Sequence, residues 1–220
     1  MLVCVISTVG QSVFNNAGEY TRRQARDFGK QADVDLRAII DRKKDDFAGK
    51  GIYEATLADL RALPTVEALR AASAELNSLD RILEGHKPNK GDKLYFLASE
   101  TPDGALAARV VADFCAERFE RETEICLIDG LQVDDGQRFR WQGLRSLINK
   151  LYDILEDAPA AAYRRVLNPT GGFKGVVPSL TVIGMLEPAV EVSYIYERSP
   201  ELVTLAGLPL QIHYAALEGA

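Results

Sequence analysis

The 220-residue sequence predicts an α/β protein with a Rossmann-like, doubly wound, mostly parallel sheet and a helical insertion. Three observations lead there. Short β-branched runs alternate with longer stretches of helical period, the pattern of a parallel sheet covered on both faces. After residue 90 the order is strand, helix, strand, helix, strand, helix, strand, a repeated crossover. Residues 20–85 break this rhythm, being rich in Ala, Leu, Arg, Asp and Glu without a convincing strand.

Strands are expected over residues 2–6, 93–98, 124–128, 165–167, 191–196 and 209–213, and helices over 105–119, 141–155 and 173–186. The insertion, approximately 20–88, should hold two or three helices. Within it Leu57, Leu60, Leu63, Val66, Leu69 and Leu76 recur mostly three or four residues apart, as an amphipathic region split by Pro64 should. It reads as a cap over the sheet, with a substrate lid or a dimer arm as alternatives. The whole of 1–220 is expected to form one domain.

Composition narrows the partners. The 26 basic and 32 acidic residues leave a net charge of −6, which argues against a broad basic surface and against binding long nucleic acid. A small anionic ligand remains compatible, because backbone N–H groups and one or two cations can hold it whatever the net charge. The apolar start at residues 1–6 has no charged region before it, so neither a signal peptide nor an anchor is expected. No run approaches the roughly 18 apolar residues of a membrane span, and a cytoplasmic protein is expected. Cys4, Cys115 and Cys126 lie in apolar runs without Cys-x-x-Cys spacing, as reduced core residues do. His86 and His213 are far apart, so neither a metal site nor a cofactor is expected.

Two loops carry the candidate chemistry. The first, Ser7-Thr8-Val9-Gly10-Gln11-Ser12, follows the first strand at the end where open α/β sheets bind ligands. Gly10 permits close backbone approach, the hydroxyls are donors, and a helix starting near Ser12 would aim N–H groups at an anion. The second, Asn168-Pro169-Thr170-Gly171-Gly172-Phe173-Lys174, joins a strand to a helix. Its paired glycines let the backbone wrap a ligand. A lysine in a first helical turn is disfavoured by the dipole, which suggests an anion beside it. Neither loop is Gly-x-Gly-x-x-Gly or a Gly-Lys-Ser/Thr phosphate loop, which speaks against a nicotinamide oxidoreductase or a triphosphatase.

Val9-Gly10-Gln11-Ser12 together with Asn168-x-Thr170-Gly171-Gly172-Phe173-Lys174 and Val177-Pro178 resembles the CARF (CRISPR-associated Rossmann-fold) domains of type III CRISPR systems. Ala74-Glu75-Leu76-Asn77-Ser78-Leu79, Leu97-Ala98-Ser99-Glu100-Thr101 and Gly130-Leu131-Gln132 are similar to that family too. Gln11 departs from it, since a small hydroxyl residue is expected there. The resemblance implies a homodimer whose two-fold axis runs through a cyclic oligoadenylate, most simply cyclic tetra-adenylate, gripped by both copies of each loop. It implies ligand contacts from Thr8, Gly10, Gln11, Asn168, Thr170, Gly171, Gly172 and Phe173, with Ser99, Glu100 and Gln132 at the adenine edges.

Many CARF proteins carry an effector after the sensor, and none is expected here. The reading that follows is a stand-alone ring nuclease that switches type III CRISPR signalling off by destroying the messenger. Attack of a ribose 2′-hydroxyl on its own 3′-phosphate gives linear products with 2′,3′-cyclic phosphate ends and needs in-line geometry but no metal. Lys174 would stabilise the phosphorane and Ser12 would hold the phosphate. Neither loop offers a general base, so a slow enzyme is expected. The alternative is a non-catalytic sensor, alone or as part of a longer effector.

Overall fold

A computed structural model describes residues 1–131, 136–172, 174–196, 201–205 and 207. Its centre is a six-stranded sheet of β1 (Leu2–Thr8), β2 (Lys93–Ser99), β3 (Glu122–Ile128), β4 (Tyr163–Asn168), β5 (Val190–Ile195) and β6 (Leu202–Leu205). The spatial order is β3-β2-β1-β4-β5-β6. The first five strands pair in parallel, and β6 closes the edge antiparallel to β5. The doubly wound fold is therefore as expected, and its order reverses between β1 and β4, the switch point of such sheets.

Period-two alternation explains how both faces become core. Val3 and Val5 of β1 and Leu94, Phe96 and Ala98 of β2 enter one apolar cluster. Cys4, Ile6, Tyr95 and Leu97 enter the other. The first face is covered by the helices between β1 and β2 and by α7 (Pro102–Phe119). The second is covered by α9 (Leu144–Asp157) and α10 (Val177–Leu186). Residues 103–115 of α7 are all buried, and Thr101 caps that helix by accepting from the Gly104 N–H at 3.2 Å.

The strands run longer than their apolar runs. β1 continues through Ser7 and Thr8, both buried, because neighbours on either side satisfy its backbone: Ser7 pairs with Phe96 and Asn168. β6 was not expected, since its four residues form a short edge strand. The strand expected at 209–213 and His213 fall outside the described residues.

The insertion holds five helices rather than two or three: α2 (Glu19–Phe28), α3 (Leu36–Ile40), α4 (Lys50–Arg61), α5 (Val66–Ala72) and α6 (Ala74–Ile82), after the single turn α1 (Ser12–Asn15). Local stop and start signals divide them. Asp35, Thr65 and Ser73 each accept a backbone N–H at a helix start, at 3.0, 3.2 and 3.4 Å, and Pro64 lies between α4 and α5. Leu57, Leu60, Leu69 and Leu76 are buried as the spacing required, while Val66 is 36% exposed. Before α9, the short α8 (Gly136–Arg138) runs into a π-helical stretch over Phe139–Gly143. Among the described residues no helix is long and apolar enough to cross a membrane.

Candidate functional site

The loops after β1 and β4 meet at the switch point. A Cβ on Gly10 would lie 2.7 Å from the Gly172 backbone, and Gly172 itself has a φ of +81°, so the crossing needs glycine on both sides. Thr8 donates its hydroxyl proton to the Gly171 carbonyl. Beside this crossing opens a pocket of about 480 Å³, with Gly10, Gln11 and Ser12 on one side and Thr170, Gly171, Gly172 and Lys174 on another. The third wall comes from the insertion, through Arg70, Ser73, Ala74 and Asn77. The helical cap therefore helps to build the pocket as well as covering the sheet.

Several expected site residues have structural partners. Asn168 is buried and donates to Ser7 Oγ at 3.0 Å and Ser78 Oγ at 2.8 Å, tying β1, β4 and α6 together. Its Oδ1 accepts from the Thr170 hydroxyl at 2.6 Å, and Thr170 Oγ1 in turn accepts from the Ile195 N–H at 3.2 Å. Asn168 thus shapes the second loop from beneath rather than lining the pocket. Gln11 lines the pocket but donates to the carboxylate of Asp103 at the start of α7. Thr8 lies within β1, buried, and does not line the pocket.

Ser99 and Glu100 sit at the next strand end and do not line this pocket. Glu100 accepts from the Gly130 N–H at 2.8 Å and from Arg138 at 2.7 Å, and Ser99 Oγ lies 3.0 Å from Thr101 Oγ1. Gln132 and Phe173 lie outside the described residues.

α1 begins at Ser12, as expected, but is a single turn with no side-chain cap. Lys174 opens a 3₁₀ turn, Lys174–Val176, ahead of α10 rather than standing in its first turn. An Arg-x-x-x-x-His spacing, of the type found in HEPN nucleases, is present at Arg81 and His86. There Arg81 donates to Asn77 Oδ1 at 3.2 Å, while His86 Nε2 lies 3.3 Å from the buried Asp92 carboxylate. The pair is thus engaged in separate contacts.

Sequence reasoning noted Glu75 only within the stretch 74–79 that resembles the CARF family and gave it no role. Although fully buried, it reaches the first loop from the first turn of α6, a place that favours a negative charge. Glu75 Oε1 accepts from the Gly10 N–H at 2.7 Å, and Oε2 accepts from the hydroxyls of Ser12 and of Ser73, the latter at 2.5 Å. Gly171 packs against the same side chain so tightly that a Cβ there would lie 2.0 Å from Oε1. Glu75 therefore stands between the two loops and is bonded to the first. The pattern Ser73-x-Glu75 reads in sequence as an ordinary helix start, so nothing local marks this role.

A doubly wound sheet with a two-loop pocket at its point of reversal defines a Rossmann-like α/β protein. Within that class, residues 70–208, well over half of the chain, match the model of the CRISPR-associated protein family Cas_APE2256, and the chain belongs to that family. The matched stretch includes Glu75, Asn168 and Lys174, while β1 and its loop precede it.

Proposed function

We propose that this CRISPR-associated protein is a CARF-type ring nuclease, binding a cyclic oligoadenylate across a two-fold dimer and opening it slowly by 2′-hydroxyl attack. The observation that carries this reading is the convergence of the Gly10 and Gly171-Gly172 loops on one pocket that also holds Lys174. Close-packed glycine backbone and a cation suit a phosphodiester. Asn15 on the same pocket offers an amide of the kind that reads adenine edges, while Asn16 and Asn77 each have half of theirs engaged, by Ala71 O and by Arg81. A rotationally symmetric ring suits two copies of such a pocket.

In the reaction the 2′-oxygen bonds to phosphorus, the bond to the 5′-oxygen breaks, and Lys174 balances the charge gathering on the phosphoryl oxygens. Ser12 differs from the role first expected of it, because its proton is already directed at Glu75. The same fact favours the second reading, a sensor that binds without cleaving, since the Gly10 N–H and the Ser12 proton are both committed before any phosphate arrives.

Labelled cyclic tetra-adenylate incubated with the protein in excess EDTA distinguishes the two. Linear products ending in 2′,3′-cyclic phosphate are expected. A ring that binds and is recovered intact under all conditions, metal supplied or not, would leave the sensor reading in its place.

A further inference from the structure

We propose that Glu75 acts through Ser12 as the proton acceptor of this site, supplying the general-base function that neither loop provides. The inference rests on the ring-nuclease reading above and adds a residue from the insertion to it.

A serine oxygen carries one proton and two lone pairs. Ser12 directs its proton at Glu75 Oε2 and accepts the Ala74 N–H at 3.1 Å. One lone pair is left, on a side chain that lines the pocket. Ser12 therefore meets an incoming ligand as an acceptor, and a ribose 2′-hydroxyl is a donor of the matching kind. Ser73 makes the same kind of contacts, donating to Glu75 at 2.5 Å and accepting the Leu76 N–H, but it is buried with its oxygen 3.3 Å from that of Ser12. Ser12 is partly exposed to the pocket and is the hydroxyl a ligand meets.

Proton movement then follows the existing hydrogen bond. As the 2′-oxygen bonds to phosphorus, its proton passes to Ser12 Oγ and the original Ser12 proton passes to Glu75 Oε2. The bond from phosphorus to the 5′-oxygen breaks, and that oxygen keeps the electron pair and takes a proton from Lys174 or water. After product leaves, Glu75 returns its proton through Ser12 to water, and Lys174, where it gave a proton to the 5′-oxygen, regains one from water. Glu75 touches no substrate atom and is a positioning residue. Its carboxylate fixes the direction of the Ser12 proton and receives it.

The test is single-turnover cleavage of labelled cyclic tetra-adenylate by the wild type, Glu75→Gln, Ser12→Ala and the double variant. Affinity is measured separately on the ring built with 2′-deoxyriboses, which cannot attack. Glu75→Gln keeps an oxygen to accept the Gly10 N–H but removes the proton acceptor. Each single change is expected to lower the rate about 10²-fold or more while affinity for the deoxy ring is unchanged. The double variant should be no slower than the slower single one, because the two groups act as a unit. Cleavage by Glu75→Gln at the wild-type rate, or losses that multiply in the double variant, would overturn the relay.

Should Glu75→Gln fail to fold, Lys174→Ala, which removes the side-chain donor to the leaving oxygen, is read in mixtures of light and heavy water. A bowed dependence of its rate on deuterium fraction supports two protons in flight at the 2′-oxygen, and a straight line overturns the relay. A wild type that binds the deoxy ring but never cleaves the native one rejects ring cleavage itself. A wild type that cleaves while Glu75→Gln cleaves equally well rejects only the role of Glu75.

Discussion

Gly10 and Gly172 face one another so closely that a Cβ on Gly10 would stand 2.7 Å from both the Cα and the N of Gly172. Gly10→Ala is accordingly expected to push the two loops apart, costing about 1–3 kcal/mol in denaturant unfolding and weakening ligand binding with it. Gly51→Ala is the control. Gly51 is the second residue of α4 with open space where a Cβ would stand, so the alanine should be tolerated and stabilise by at most about 0.5–1 kcal/mol.

Lys174→Ala tests the charge on the pocket. Lys174 is the one cation that the two loop sequences bring to it, and loss of a preorganised partner for the developing charge should lower cleavage roughly 10²- to 10³-fold. Binding should fall much less, since the loop backbones and polar wall remain. Single-turnover rates beside dissociation constants check the split, and an unchanged rate removes Lys174 from the chemistry.

The proposed function requires a two-fold dimer at micromolar concentration, because one chain would then supply only half of a site for a symmetric ring. Light scattering should give about twice the 24.2 kDa of one chain. A mass matching the single chain would count against the shared site.

Away from the pocket, Asp92 and Arg121 form a buried ion pair at 3.1 Å, with Asp92 also accepting the Val3 N–H at 2.9 Å and the Asn89 N–H at 3.0 Å. Burial pushes the Asp92 carboxyl up, but these N–H groups and His86 outweigh it and hold its pKa below the usual carboxylate value. The stability it contributes is therefore complete above the unfolded value of about 4 and is lost as pH falls through the lower folded value. Asp92→Asn, which strands the Arg121 charge, should cost about 3–5 kcal/mol near neutral pH and flatten the acid limb of the stability curve. Urea unfolding of both proteins from pH 7 to pH 3 is the measurement.

The three cysteines should resist alkylation in the native state. Burial pushes the thiols of Cys4 and Cys126 up to about 12 and that of Cys115 well above its ordinary value, so the thiolate is scarce at pH 8. Mass spectrometry after iodoacetamide treatment should show unmodified native protein and labelled protein in urea. Rapid native labelling of Cys4 would contradict its burial.

The sequence by itself determined the parallel strands and the crevice. Hydrophobic alternation in Val3, Val5, Leu94 and Phe96 and the crossover order are local patterns, and they suffice to bring the loops ending β1 and β4 together. It also marked Lys174 and the Gly171-Gly172 pair, because glycine and charge at a strand-to-helix turn stand out locally. The division of the insertion into five helices was half visible in Pro64 and Ser73, but short capped helices blur a periodicity that needs several turns to emerge. Only the tertiary structure decided what Ser12, Gln11 and Asn168 bond to. Ser12 meets Glu75 across 63 residues of chain, and Asn168 meets Ser7 across 161. Hydrogen bonds at such separations depend on how the insertion seats α6 against the end of β1. No periodicity or spacing encodes that seating, so a carboxylate that reads as the start of a helix becomes the group standing between the two loops.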